Sequence, residues 1–286
     1  LAKVDILVPG LLPEKTQARL SERFAAHRVA APAGLDVALG ANAGAIRGIA
    51  RGAHFPIARA LIERLPSLEI IANIGVGYDG IDLMVAAARG IIVTNTPDVL
   101  TEEVADTALG LLIMTVRELS AAERHLRAGK WPREGYYRLT PATLRDRTVG
   151  IVGLGRIGMA IARRLDAMGV PVAYHSRHKR AGAGYRYFPD LHAMAEAVDT
   201  LMVVVPGGAG TRNMIDARVL AALGANGILI NVGRGTTVDE PALIHALRKR
   251  TILAAGLDVF ADEPNVPEAL IALENAVLLP HVGSAS

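Results

Sequence analysis

The sequence predicts an α/β protein whose parallel sheets are arranged in two domains. Three observations carry this. Short β-branched runs alternate with helical patterns along the chain, the mark of repeated βαβ units. Apolar residues make up 51% of the chain and charged residues 21%, which suffices for a sizeable core and excludes a disordered chain. Finally, 286 residues at about 150 per domain correspond to about two domains. Aromatic residues are only 4%, so Ala, Val, Ile and Leu must form the core, as suits helices stacked on buried strands.

In the first third, Val4–Pro9, Ala45–Ala50, Leu68–Ala72 and Ile91–Asn95 read as strands. Helical patterns at Glu14–Phe24, Ile57–Arg64 and Ile81–Arg89 lie between them. Thr101, followed by Glu102 and Glu103, reads as the N-cap of one long helix that continues through Val104–Arg127 and is ended by Gly129 and Pro132. The segment Gly129–Arg147 lacks apolar periodicity and reads as a linker or as an arm reaching another subunit. From Thr148 the rhythm resumes, with strands at Thr148–Gly153, Val170–Ser176, Thr200–Val205, Gly227–Val232, Leu253–Asp258 and Ala276–Leu279. Helices are expected at Ile157–Met168, Leu191–Ala197, Ala217–Leu223 and Glu240–Lys249. Six strands with intervening helices make a doubly wound domain.

Several function classes drop out. Basic residues number 31 against 28 acidic ones, without clustering or aromatic interleaving, which argues against nucleic-acid binding. There is no cysteine, hence no disulfide framework, thiolate metal site or thiol nucleophile. No uninterrupted apolar stretch reaches the ~18 residues of a membrane span. The chain enters a strand-like run at once, leaving no room for a signal peptide, so a cytoplasmic location is expected.

Gly153-Leu154-Gly155-Arg156-Ile157-Gly158 is G-x-G-x-x-G between a strand and a helix. The first glycine permits the tight turn, the second lets the backbone approach a pyrophosphate, and the third lets the helix pack on the strand. The helix N-terminus then offers N–H groups to phosphates. An NAD-binding domain usually ends its second strand with Asp or Glu. Here the strand ends Tyr174-His175-Ser176-Arg177-His178-Lys179-Arg180, with cations in place of a carboxylate. Arg177 as a phosphate fork, Ser176 as a donor and Lys179 as a second cation predict NADP(H) over NAD(H), with NAD(H) use still possible. A solvated basic loop is the plainer reading of the same residues.

Three further segments sit at predicted strand ends: Asn231-Val232-Gly233-Arg234-Gly235, Gly256-Leu257-Asp258-Val259-Phe260 with Glu263-Pro264, and Pro280-His281-Val282-Gly283-Ser284. Together with Asn73-Ile74-Gly75-Val76-Gly77-Tyr78-Asp79-Gly80-Ile81-Asp82, the helix bearing Val104-Ala105-Asp106-Thr107, and the glycine fingerprint, they make the chain resemble the D-isomer-specific 2-hydroxyacid dehydrogenases over nearly its whole length. The resemblance implies a Rossmann dinucleotide-binding domain and a smaller flavodoxin-like substrate domain. It puts the substrate domain at residues 1–94, the NAD(P)-binding domain at 95–280 and the start of a hinge at 281–286. Relatives continue into a helix that returns to the first domain, so the sequence is expected to be the retained part of a longer chain.

The resemblance also implies roles. These enzymes reduce a 2-keto acid with a nicotinamide cofactor. His281 would deliver the proton, with Glu263 on its other ring nitrogen. Arg234 would hold the substrate carboxylate and polarise the ketone, and the backbone N–H groups of Val76 and Gly77 would hold the carboxylate from its other side. Asp258 would sit at the nicotinamide, with a second role at the hinge. Thr107, Val205, Pro206, Val232, Gly233 and Gly283 would line the cofactor groove beside Arg234 and His281. Glycines follow Pro206 where relatives often carry a Thr, which leaves Thr211 as the side chain to reach the cofactor. The loop Arg51-Gly52-Ala53-His54 would face the substrate, Arg51 either touching a polar tail or facing solvent.

Within the family, Ser176-Arg177-x-Lys179 is similar to the NADPH-dependent glyoxylate and hydroxypyruvate reductases. The lack of several basic groups near Arg51 disfavours a phosphorylated substrate, so a small 2-keto acid is expected. A 2-ketogluconate reductase would share every motif. A formate dehydrogenase needs no acid–base His–Glu pair and takes NAD. The family's dinucleotide-binding corepressors keep the same residues, but the site for a 2′-phosphate argues against that reading. The helix and arm over 101–147 resemble the family's dimer-forming region, so a homodimer is expected. Trp131 either reaches the partner's active site or is buried under the arm.

Overall fold

The first five strands are β1 (Asp5–Pro9), β2 (Ala25–Val29), β3 (Gly48–Arg51), β4 (Ile70–Asn73) and β5 (Ile92–Thr94). They pair in parallel in the order β2-β1-β3-β4-β5, the flavodoxin-like winding. The computed structural model describes residues 2–52 and 55–286. Ala53 and His54 of the loop expected to face the substrate lie outside the described residues, as does Leu1.

The chain divides into two compact units, the first running to Leu100 and the second covering Thr101–Ser286. In the first, Leu7, Ile49 and Ile71 of the central strands pack with Leu61, Ile62 and Val85 of the connecting helices into one buried cluster. Helix Glu14–Arg23 follows the predicted span closely, whereas the helix expected from Ile57 begins at Arg59, because Ile57 is held in a parallel bridge with Ile81. β2 has no counterpart in the predicted strands. Its sequence, Ala-Ala-His-Arg-Val, is an edge strand with only Val29 buried, so it lacks the apolar run that marks the others. A side-chain bond of 2.7 Å from His27 to Asp5 fastens it to β1.

The second unit holds β6 (Val149–Val152), β7 (Val172–His175), β8 (Arg186–Phe188), β9 (Thr200–Val203), β10 (Ile228–Asn231), β11 (Ala254–Leu257) and β12 (Ala276–Leu278). All neighbours are parallel, in the order β12-β11-β10-β9-β6-β7-β8. β6, β9, β10 and β11 are buried at every position, as expected of strands covered by helices on both faces. The chain winds outward from β6 through β7 to β8, then returns to β9 on the other side of β6. That reversal opens a crevice at the C-terminal ends of β6 and β9, where doubly wound sheets bind ligands. The sheet has seven strands rather than the expected six. The extra strand, β8, is a three-residue edge with one buried side chain, too short for an alternation to show.

The long helix expected over Val104–Arg127 is two helices, Thr101–Val116 and Leu119–Arg127. Glu118 takes a left-handed backbone, φ 51°, and ends the first. Its carboxylate accepts from Tyr137 Oη at 3.2 Å and pairs with Arg138 at 2.6 Å, so the bend is fastened by the arm that follows. The arm carries one short α-helix, Trp131–Glu134, and a 3-10 turn at Leu144–Asp146. Trp131 is 50% exposed, which removes the reading that buried it under the arm.

At the N-terminal ends of the strands, the guanidinium of Arg147 is buried. It donates to Asp199 O at 2.6 Å, Thr200 Oγ1 at 3.3 Å and Asn226 O at 2.8 Å.

Candidate active site

Five loops at the C-terminal ends of β6, β7, β9, β10 and β11, with the segment after β12 and Thr107 of helix Thr101–Val116, carry the predicted residues of the second unit. The first is the glycine loop between β6 and helix Arg156–Ala167. Gly153 has φ +101°, and a Cβ there would lie 2.7 Å from Val205 Cγ1. At Gly158 a Cβ would strike the Gly153 carbonyl oxygen, which ties helix to strand at a distance only glycine allows. Gly155 is different: a Cβ on it would meet nothing within 4 Å, so its outer side is open. Leu154 is buried beneath the loop, and Arg156 and Ile157 open the helix, whose first N–H groups have no acceptor one turn back.

The second loop follows β7. Ser176 Oγ donates to His178 O at 2.7 Å and closes a tight turn. Arg177 and Lys179 are exposed, and neither side chain has a hydrogen bond or ion pair among the described residues. Arg180 and Tyr187, which carry no role in the sequence reading, also shape this turn. Arg180 Nη1 donates to Leu154 O at 2.7 Å and Gly155 O at 3.2 Å, and Tyr187 Oη donates to Ser176 O at 3.2 Å. The signal for Arg180 lay in the basic run itself; Tyr187 sits on the unforeseen β8.

After β9, Val205 packs beside Gly153, Pro206 is exposed, and Thr211 donates its hydroxyl to Pro206 O at 2.7 Å. The proton expected to reach a cofactor thus closes the loop's own turn.

After β10, buried Asn231 folds the loop that presents Arg234. Its Oδ1 accepts from Gly233 N at 3.0 Å and its Nδ2 donates to Arg234 O at 3.0 Å. Thr237 Oγ1 donates to the same carbonyl at 2.6 Å. Val232 and Gly233 are buried, whereas the Arg234 side chain is half-buried and donates from Nη1 to Gly233 O at 2.7 Å.

After β11 comes the tightest cluster. Glu263 Oε1 accepts from Phe260 N at 3.0 Å, and its Oε2 lies 2.7 Å from His281 Nδ1. An ionised carboxylate can only accept, so Nδ1 carries the proton in this pair, leaving Nε2 as the working atom of the ring. His281 has φ 54°, a left-handed conformation uncommon outside glycine, and it is held there from both sides. Asp258, 1% exposed, accepts from Val282 N at 2.7 Å and from Gly283 N at 2.8 Å, one bond to each oxygen. Its carboxylate therefore anchors the turn that carries His281. Burial raises its pKa, while the two N–H groups and neighbouring His281 lower it. Thr107 Oγ1 donates to Gly283 O at 3.3 Å, tying helix Thr101–Val116 to the same turn.

In the first unit, the Gly75–Gly77 loop is organised by Asn73, the last residue of β4. Asn73 Nδ2 donates to Gly75 O and Gly77 O, both at 3.0 Å, and Asn95 Nδ2 donates to Val76 O at 2.9 Å. A peptide carbonyl and the next N–H point in opposite directions, so the Val76 and Gly77 N–H groups turn away from these amides. Neither N–H has an acceptor among the described residues. Arg51 is 5% exposed; it donates from Nε to Phe55 O and from Nη1 to Asn73 Oδ1, both at 2.5 Å. The solvent-facing alternative for Arg51 is thus overturned, and its fork supports Asn73 from beneath.

Residues 109–283 match the family model described as D-isomer specific 2-hydroxyacid dehydrogenase, NAD binding domain. The chain belongs to the D-isomer-specific 2-hydroxyacid dehydrogenases. It is 42% identical over 286 residues to a glyoxylate/hydroxypyruvate reductase A of Arabidopsis thaliana, covering 100% of this chain and 91% of the relative. It is 40% identical to a 2-ketogluconate reductase of Gluconobacter oxydans over 285 residues, covering 100% of this chain and 90% of that one. Among solved structures, it resembles an NADPH-dependent glyoxylate/hydroxypyruvate reductase of Sinorhizobium meliloti in complex with NADP and malonate. The TM-score is 0.94 at 57% identity, covering 100% of this chain and 88% of the other.

As a member of this family the chain is an NAD(P)-dependent oxidoreductase, and its own geometry fits a dinucleotide. The open side of Gly155, the helix N-terminus at Arg156 and the exposed Arg177 and Lys179 form a donor set for phosphates. No helix among the described residues is long and apolar enough to cross a membrane, and no group of three or more His, Asp or Glu among them is arranged to hold a metal.

Proposed function

We propose that this dehydrogenase reduces glyoxylate or hydroxypyruvate to the D-2-hydroxy acid with NADPH. The observation that carries the reading is the 2.7 Å contact between His281 Nδ1 and Glu263 Oε2, which presents Nε2 as a proton donor. When bound, the reduced cofactor supplies a hydride to the carbonyl carbon. His281 delivers the proton to the carbonyl oxygen, and Glu263 fixes the ring's tautomer and orientation. The guanidinium of Arg234 takes the substrate carboxylate and polarises the ketone, a bidentate task that suits its fork of donors. The Val76 and Gly77 N–H groups are assigned to the same carboxylate. Arg177, Ser176 and Lys179 are assigned to the 2′-phosphate; the absence of Asp and Glu from the end of β7 supports NADPH over NADH.

A small, unphosphorylated substrate accords with the glyoxylate/hydroxypyruvate reductases of Arabidopsis and Sinorhizobium. A second reading, 2-ketogluconate reduction, is favoured by the Gluconobacter relative. Following oxidation at 340 nm with glyoxylate, hydroxypyruvate, 2-ketogluconate and pyruvate, each with NADPH and NADH, separates the two. Turnover highest with 2-ketogluconate selects the second reading; no turnover with any of the four removes both.

We propose further that residues 1–94 serve as the substrate domain and 95–280 as the cofactor domain, with 281–286 beginning the hinge, in a homodimer working in the cytoplasm. Exposed Trp131, Tyr136 and Leu139 on the arm, the last two 89% and 95% accessible, support pairing through 101–147. Light scattering at the monomer mass would refute the dimer.

A further inference from the structure

We propose that Arg180 is a positioning residue for cofactor selection, coupling the turn that reads the 2′-phosphate to the loop that holds the pyrophosphate. This rests on the reading of Ser176–Lys179 as the 2′-phosphate site and assigns a role to a residue outside that set.

The turn after β7 is fastened on three sides. Its backbone at Ser176 accepts from Tyr187 Oη at 3.2 Å, and Ser176 Oγ closes it on His178 O at 2.7 Å. At its far end, Arg180 N donates to Tyr174 Oη at 2.9 Å, and Tyr174 is fully buried with its ring against Tyr187, centroids 5.2 Å apart. From this anchored backbone the Arg180 side chain reaches across to Leu154 O at 2.7 Å and Gly155 O at 3.2 Å. Among the hydrogen bonds of the described residues, these are the only ones joining the side chains of 176–180 to the glycine loop.

Two consequences follow. A guanidinium bound to the Leu154 and Gly155 carbonyls fixes their peptide planes, and the N–H groups of Gly155 and Arg156 on those planes point the opposite way. Arg180 also sets how far Arg177 and Lys179 stand from the loop. Their side chains are long and without partners among the described residues, so their geometry depends on where the turn is pinned. Arg180 therefore acts through its neighbours. Its nitrogen already faces two carbonyls, the wrong orientation for a phosphate oxygen on the same Nη1.

The test is a double-mutant cycle with NADPH and NADH binding measured by fluorescence titration of the whole protein without keto acid. The variants are Arg180→Met, Arg177→Met and both together. Arg180→Met is expected to weaken NADH severalfold and NADPH further, lowering the preference for NADPH about tenfold, within the range of couplings inside one hydrogen-bonded network. In the Arg177→Met background, Arg180→Met should change that preference by less than about twofold, because there is no phosphate fork left to position. Tyr187→Phe, which releases the turn from the other side, should lower the preference in the same direction and provides the test should Arg180→Met fail to fold. An Arg180→Met protein with unchanged preference overturns the inference, as does a double variant that loses the full Arg180 factor again, which would make Arg180 a direct phosphate ligand. A wild type that binds NADH as tightly as NADPH overturns the cofactor reading itself, and the inference with it.

Discussion

His281 Nδ1 and Glu263 Oε2 lie 2.7 Å apart, although eighteen residues separate them in sequence, and the loop after β11 anchors both. Glu263 is held through its other oxygen by Phe260 N, and His281 through its neighbours by Asp258. Glu263→Gln keeps an acceptor for the ring and removes the carboxylate's charge. The expected outcome is a loss of about 10–100-fold in kcat for keto-acid reduction. His281→Gln should cost more, about 10²–10⁴-fold. Initial rates check both, and an unchanged kcat in Glu263→Gln would remove its assigned role.

Arg234 offers a planar fork that lysine cannot reproduce. Arg234→Lys should raise KM for the keto acid and lower kcat/KM by about 10–100-fold, while leaving NADPH affinity nearly unchanged. Steady-state kinetics beside a cofactor titration separate the two effects. Equal losses in substrate and cofactor binding would indicate a collapsed loop instead.

Asp258 makes stability depend on pH in a direction opposite to that of most carboxylates. Burial raises its pKa above 3.8, so the folded protein holds this proton to higher pH than the unfolded chain does. Its contribution is fully favourable below about pH 3.8 and declines as pH rises through the raised value. Asp258→Asn cannot ionise and lacks that decline, although it gives up the acceptor for one backbone N–H. Urea midpoints for the two proteins across the acid range should therefore show the variant gaining on wild type as pH rises. Parallel curves would mean that the carboxyl does not titrate differently in the fold.

Asn73→Ala releases the Gly75 and Gly77 carbonyls and leaves Arg51 Nη1 without its side-chain acceptor. Each hydrogen bond lost costs about 0.5–1.5 kcal/mol. The variant should unfold at lower urea and show a raised KM for the keto acid with unchanged NADPH affinity. A normal KM would dissociate the Val76–Gly77 amides from substrate binding.

The repeated strands of the core were legible because buried parallel strands are continuous apolar runs, as in Ile228–Asn231. The edges were not: Ala25–Val29 and Arg186–Phe188 bury one side chain each, too little to leave a periodic trace. The break at Glu118 was hidden because nothing local to that residue forbids a helix; Tyr137 and Arg138 fasten the bend from farther along the chain. At the site, residue types with a fixed chemistry, His281, Glu263 and Arg234, stood out by motif. The residues that hold the loops, Asn73, Asn231 and Arg180, work through backbone carbonyls, and a carbonyl leaves no letter in the sequence.

Arg147 gives the second unit a mechanical polarity. Its guanidinium staples together the chain entering β6, the chain entering β9 and the approach to β10, all at the end of the sheet remote from the ligand loops. Strands clamped at one end and free at the other transmit little motion to their roots. Rearrangement of the glycine, Arg234 and His281 loops can then proceed over a stationary base, and sequence drift at the working end need not disturb the assembly of the sheet. The slowest amide exchange in this unit should accordingly lie near Val149, Thr200 and Ile228, fading toward the loops that do the chemistry.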